Sequence, residues 1–404
     1  MRSFPMVPRR QLRLLTRPIL GLLLGLLLLL HSGAGRAVEI TVEPVQSAAA
    51  SGRGATGYSL RITGIIDQGD ADKVRAALAG LPAAAPNGAG PLPVVELSSM
   101  GGSLPDGFEI GRLLRKHNVI ARVRRQDLCL SSCAFAFLGG NVHRIPSAYP
   151  KECNVELGAK VAFHNFALNR YSLQTGTPSD PMTSRLQGFA EARGGAALLV
   201  RYAGEMGLPA NFAASIMGRP VDEFQYIETV GQFLTFRVCP IGLTRPPIDL
   251  PQQAANVCNH STGWRTPTAE LNAAVLSDSQ VKLILLQRLQ EQLQSSKARG
   301  RLAAQLASGA VMRVREEIDR LYEDLRAAGV SLPEIVGPTF EISRNVEGKH
   351  EIQCFVSLSP DDPDRFDVAV MGPRGLTDAA VVPPENSRRL FLYDRNLVIN
   401  PRPQ

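Results

Sequence analysis

The sequence predicts an α/β protein: a main domain with a mostly parallel sheet, then a helical segment, then a small β module. Three observations predict it. Short apolar β-like runs alternate with amphipathic helical stretches between residues 57 and 240. A proline cluster (Pro240, Pro246, Pro247 and Pro251) then changes the texture of the chain. Beyond it leucine-rich helical periodicity runs from 268 to 328, and β-like runs return after Gly337. The 404 residues suit two to three domains. The division expected is 1–37 an N-terminal leader, 38–56 a spacer, 57–240 the main domain, 241–267 a Pro-rich linker, 268–329 a helical region and 330–404 a β-rich module.

The leader begins with arginines, continues into an apolar run over 19–30 and ends in small residues over 31–37. Twelve apolar residues reach about 18 Å as a helix, short of a bilayer's hydrocarbon core. The order basic, apolar, small fits a secretory signal cut after Ala34 or Ala37, and the alternative is an uncleaved anchor. Either reading places the rest of the chain outside the cytoplasm, with membrane association only through the N-terminus. The leader also explains the charge. Its six arginines and no acid account for all but +1 of the formal +7, and no basic stripe interleaved with aromatics remains. A nucleic-acid partner is therefore excluded. A composition of 44% hydrophobic and 20% charged residues excludes a disordered, collagen-like or multi-span membrane chain.

Along the main domain, 58–62 and 64–66 read as strands and 70–81 as an amphipathic helix, followed by an Ala/Gly/Pro loop over 82–91. A buried strand over 93–97 runs into Ser98-Ser99-Met100-Gly101-Gly102, and a helix over 104–116 follows. Then come a strand over 118–123, a small-residue helix over 131–138, a strand over 161–166, and helices over 180–206 and 209–217. In the C-terminal module 340–343, 351–358, 366–371 and 389–393 read as strands.

All six cysteines follow the leader, and an even number in an exported chain makes disulfides the default. Cys239 and Cys258 bracket the Pro-rich stretch as a natural staple. A metal site from Cys129, Cys133, His143 and Cys153 is the competing use, but its spacing matches no familiar zinc module, so no metal is expected.

Three segments hold candidate chemistry. Gly101-Gly102 at a strand's carboxyl end lets backbone N–H groups face a ligand, though any tight turn also uses such a pair. Ser131 and Ser132 open an apolar helix, where a hydroxyl serves either as an N-cap or as a nucleophile facing the positive end of the helix dipole. His164, in Val161-Ala162-Phe163-His164-Asn165-Phe166, is either a hydrogen-bonded core residue or a general base.

Together these segments resemble the Clp-protease-like branch of the Clp/crotonase superfamily. Ser98-Ser99-Met100-Gly101-Gly102-Ser103 is similar to that family's Ser-Pro-Gly-Gly-Ser turn, with Met100 in place of proline. Leu130-Ser131-Ser132-Cys133-Ala134-Phe135 resembles its nucleophile segment, with seven residues between Ser131 and Gly139-Gly140. Phe163-His164-Asn165 resembles the base segment, and Asp222-Glu223-Phe224 the acid segment. The resemblance covers residues 57–238 and is closest to exported members whose serine is flanked by cysteines. It implies a spiral of ββα units and a serine hydrolase of the peptidase type, with Ser131 as nucleophile, His164 as base and Asp222 orienting it. The Gly102 and Ser132 amides would form the oxyanion hole. It also leaves Glu223 or Glu228 as alternative acids, Ser132 as alternative nucleophile, and a Ser–Lys dyad through Lys151 or Lys160. Cys153, in a long segment between nucleophile and base, is then a partner for Cys133. No phosphate-binding Gly-x-x-x-x-Gly-Lys motif occurs, so ATP-independent action on peptides or unfolded chains is expected, with no cofactor. Self-assembly is implied by the family, and 283–325 offers a contact for it. The competing class is a non-catalytic envelope scaffold.

Overall fold

The computed structural model describes residues 37–46, 56–81, 93–140, 155–165, 181–209, 211–220, 222–285, 336–346, 349–362, 364–372, 375–378 and 385–403, together with 319–320, 323–324 and 326–327. The expected leader up to residue 36, the 82–91 loop, Lys151, Cys153, His143 and most of 283–325 lie outside these residues. Among the described residues no helix is long and apolar enough to cross a membrane.

The chain is a mixed α/β protein with several small sheets. Strand β1 (Glu39–Gln46) pairs antiparallel with β2 (Thr56–Thr63), which runs parallel to β3 (Val94–Ser98), itself parallel to β4 (Ile120–Arg122). Residues 38–56 thus contribute a strand where a spacer was expected; Ile40 and Val42 alternate with polar neighbours at the strand period. Helices α1 (Asp70–Ala79) and α2 (Leu104–Lys116) connect the parallel strands. Helix α2 has the bounds its sequence predicts, because Ser103 caps it, Pro105 sits in its first turn and its basic residues Arg115 and Lys116 close it.

A second sheet has three strands. Strand β5 (Leu128–Leu130) is parallel to β7 (Lys160–Phe163), and β7 is antiparallel to β8 (Gln225–Tyr226). Between β5 and β7 lie helix α3 (Ser132–Gly139) and strand β6 (Val155–Glu156). Helix α3 is buried along its whole length, as its apolar sequence requires. It passes close to α2 because a Cβ on Gly139 would lie 2.0 Å from the Gly111 carbonyl oxygen, so only glycine admits that approach. Helices α4 (Pro181–Glu205), α5 (Asn211–Met217) and α6 (Val230–Phe236) enclose this layer. Strand β9 (Pro240–Ile241) pairs with β6.

The region after Pro240 departs from expectation. Within the supposed linker lies helix α7 (Leu250–Thr262), capped by Asp249, with Pro251 in its first turn and Gly263 in the left-handed conformation at its end. Its proline starts a helix and does not extend a linker. The supposed helical stretch from 268 contributes a 3-10 turn (Thr268–Glu270) and strand β10 (Asn272–Val275), with helix over 278–285. β10 joins β11 (Thr339–Val346), β12 (Lys349–Leu358), β13 (Phe366–Gly372) and β14 (Gly375–Asp378) in one antiparallel sheet. The last expected strand, 389–393, is part of a 3-10 run (Glu385–Leu392): it finds no partner strand, and its backbone closes on itself. Leu390 in this run belongs to the core of the main domain, while Phe391 and Leu392 belong to the core between α7 and the C-terminal sheet.

Candidate active site

The described cysteines pair differently from the sequence expectation. Cys129 and Cys133 form a disulfide (Cα–Cα 5.1 Å), and Cys258 pairs with Cys354 (Cα–Cα 6.0 Å). This replaces the Cys239–Cys258 staple and the Cys133–Cys153 link, because helix α7 turns Cys258 toward β12 and the β5–α3 turn brings Cys129 to Cys133. Bonded sulfurs are no thiolate ligands, so the alternative metal set loses two of its four members. Cys239 Sγ lies 3.4 Å from Ser387 Oγ.

Ser131 occupies the turn from β5 into α3. Its backbone has φ 55° and ψ −124°, a sparsely populated conformation for a residue with a Cβ. Its side chain makes no capping hydrogen bond, so the ordinary explanation of a serine at a helix start does not apply here. Its amide donates to the Ala162 carbonyl at 2.9 Å. The pairing of Leu130 with Ala162 continues to this point, so Ser131 stands level with Phe163, one residue before His164. Serine and histidine therefore leave the carboxyl ends of adjacent parallel strands, which run about 5 Å apart. Ser132 is different. Its side chain is fully buried, and a Cβ on Gly107 would lie 2.7 Å from the Ser132 Cβ, so its hydroxyl packs toward α2. Between the two hydroxyls, the partly exposed Ser131 is the one available to a ligand.

The Gly101-Gly102 turn abuts this serine. Both glycines have positive φ (97° and 139°), and a Cβ on Gly101 would lie 2.7 Å from the Ser131 Cβ and 3.1 Å from the Ser132 amide nitrogen. Ile66 grips the turn by donating to the Gly101 carbonyl (2.9 Å) and accepting from the Ser103 amide (2.6 Å). Those two bonds leave the Gly102 amide outside the ladder, and Gly102 is exposed. Asp106, which sequence reasoning missed, secures the same corner. Its carboxylate accepts from Ser103 Oγ (2.6 Å) and from the Gly69 and Ala71 amides at the start of α1 (2.9 and 3.2 Å). Its signal was the capping pattern Ser103-x-x-Asp106.

His164 is half-buried. Phe163 before it packs into an aromatic cluster with Phe135, Phe212 and Phe236, in tilted and edge-on contacts each with ring centroids at 5.3 Å. Asn165 after it donates from Nδ2 to the Met217 and Arg219 carbonyls, both at 2.9 Å, tying the exit of β7 to the end of α5. The His164 ring meets Phe224 with centroids 4.7 Å apart.

The register of β7 with β8 sets Phe163 opposite Gln225 and so Phe224 opposite His164. Asp222 lies two residues before Phe224, exposed, in the turn that leads into β8. Among the described residues no hydrogen bond or ion pair of Asp222 is formed. Glu223 faces Arg219 at 3.6 Å, and Glu228 is held by Arg402 at 3.0 Å on the far side of β8, which takes Glu228 out of the histidine's reach. Lys160 stands level with Leu128, three residues before Ser131, and its ammonium donates to the Pro401 carbonyl. At roughly 3.3 Å per residue that places it about 10 Å down the strand, so the dyad through Lys160 is set aside.

The fold and this corner define an α/β protein in which a strained serine, a histidine and a double-glycine turn converge at strand ends. No family model matches the chain, and no curated protein matches it. Among solved structures it is similar to the 1510-N membrane-bound stomatin-specific protease, in a variant with one serine changed to alanine, at 13% identity and a TM-score of 0.24, over 39% of this chain and 67% of that one.

Proposed function

We propose that this chain is an exported, ATP-independent serine hydrolase of the peptidase type, built on a Clp/crotonase-like spiral. The observation that carries the reading is the Ser131 turn: a strained, uncapped serine whose amide is bonded to the strand leading into His164. Backbone strain at a non-glycine residue persists where the surroundings over-determine it, as at the serine of a hydrolase.

In this reading His164 takes the Ser131 proton as Oγ attacks an acyl carbon, and Asp222 orients the ring. The carbonyl oxygen becomes an oxyanion, received by the amides of Gly102 and Ser132, the latter at the positive end of α3. His164 then returns its proton to the leaving amine or alcohol, and water repeats the sequence on the acyl-serine. The Phe224 ring against the half-buried His164 supports a preference for apolar side chains beside the scissile bond. Two disulfides support placement in an oxidising compartment.

The test is labelling of the purified protein by a serine-reactive fluorophosphonate. Labelling of the wild type that is lost in Ser131→Ala and at least a hundredfold slower in His164→Ala supports the reading. A folded wild type that stays unlabelled leaves the non-catalytic scaffold.

A further inference from the structure

Residues 395–402 return to the main domain and dock beside the strands that carry the candidate base. Val398 pairs with Thr229, the Val230 amide donates to the Leu397 carbonyl (3.0 Å), and the Ile399 and Asn400 amides donate to the Glu228 carbonyl (2.9 and 3.1 Å). Arg402 holds the Glu228 carboxylate at 3.0 Å. Asn400 is the innermost of these residues, 2% exposed. Its Oδ1 accepts from the Gly158 amide (2.9 Å), and its Nδ2 donates to the Ala159 carbonyl (2.8 Å) and the Ile227 carbonyl (3.4 Å). Ala159 immediately precedes β7, and Ile227 immediately follows β8.

The β7–β8 ladder is two residue pairs long, extended by one bond from the Ile227 amide to the Val161 carbonyl (2.9 Å). So short a ladder leaves much of its register to side-chain contacts, and a slip of one residue turns every side chain of one strand to the other face. Such a slip would carry Phe224 and Asp222 away from His164. A single buried amide bonded to both strands at their common end removes that freedom, because any slip breaks its hydrogen bonds and leaves polar groups buried without partners.

We propose that Asn400, delivered from the far end of the chain, is a positioning residue for the candidate active site: it fixes the register of β7 with β8 and thereby the place of His164. The proposal rests on the serine hydrolase reading for its catalytic consequence, but the register claim stands apart from it.

The experiment compares full-length wild type with Asn400→Asp, which keeps shape and acceptor but removes both donors, and with Arg402→Ala at the tail anchor, whose side chain is 65% exposed. Fluorophosphonate labelling per folded molecule is followed against pH, and hydrogen exchange is followed in peptides covering 160–163 and 225–227. The expected result is labelling slower by roughly tenfold or more in Asn400→Asp with a displaced pH midpoint, a smaller slowing in Arg402→Ala, and faster exchange in both peptides. Unchanged labelling per folded molecule, with only a lower melting temperature, would overturn the positioning role. A wild type that does not label at all refutes the hydrolase reading instead; the exchange data then decide the register claim alone, and unchanged exchange in both variants overturns it.

Discussion

Gly101 lies flush against Ser131: a methyl group on its Cα would sit 2.7 Å from the serine Cβ and 2.7 Å from the Leu130 carbonyl oxygen. With φ at 97°, the position is also one that a residue with a side chain occupies at a cost. Gly101→Ala is expected to lose about 2 kcal/mol or more of stability and to abolish fluorophosphonate labelling, as the turn is pushed off the serine. Chemical denaturation and labelling of the same sample check both. An Ala variant that labels at the wild-type rate would separate this turn from the site.

The Cys129–Cys133 disulfide spans the strand–helix turn with Ser131 between its ends. A closed loop this short constrains the unfolded chain little, so its effect is expected at the turn itself. The double variant Cys129→Ser, Cys133→Ser should label several-fold more slowly while its melting temperature falls by only a few degrees. Non-reducing peptide mapping should recover the two cysteines in one linked peptide; a free thiol at either position refutes the pairing.

The Cys258–Cys354 link closes a far longer loop, with a sequence separation of 96, and joins α7 to β12. Its removal should cost about 2–4 kcal/mol. Denaturant unfolding followed by the fluorescence of Trp264, buried in the same core, reads this directly. An unchanged midpoint would show that the apolar contacts of α7 suffice.

His260 is buried beneath the Phe391 ring, with Nε2 2.9 Å from the Tyr393 carbonyl oxygen. Burial, above all, pushes its pKa down to about 4; Arg395 acts the same way, while the Tyr393 bond and Asp394 oppose. Since the unfolded chain binds this proton near pH 6.5 and the folded chain does not until about pH 4, stability is fully present above 6.5 and falls as the pH drops toward 4. The loss attributable to this group is about 3 kcal/mol. Urea unfolding at several pH values should show that slope in the wild type and not in His260→Gln. Parallel slopes in the two proteins would refute it.

The α/β class, the capped helix α2 and the strand before Gly101 were legible in the sequence because each is specified locally, by alternation, a cap or a proline in a first turn. Strand β1 carries the same alternation, but the Ser/Ala/Gly-rich stretch that follows it masks the signal. Helix α7 is hard to read from the sequence because its opening proline sits among others that belong to coil, and only Asp249 before it and Gly263 after it mark a helix. The cysteine pairing was illegible for a different reason: which sulfurs meet depends on strand order and on the direction of α7, which no spacing records.

The amino-acid order alone determined which residue types were available for chemistry and their sequence along the chain: glycines, then serine, then histidine. Tertiary structure decided which hydroxyl is presented, because Gly107 draws Ser132 into the α2–α3 contact and leaves Ser131 partly open. It also decided that Glu228 serves the tail and that Asn400, 236 residues after His164, joins the scaffold of the site. The physical reason is that hydrogen bonds and close packing act through space, and parallel strands with long crossovers bring together residues whose separation along the chain says nothing of their distance.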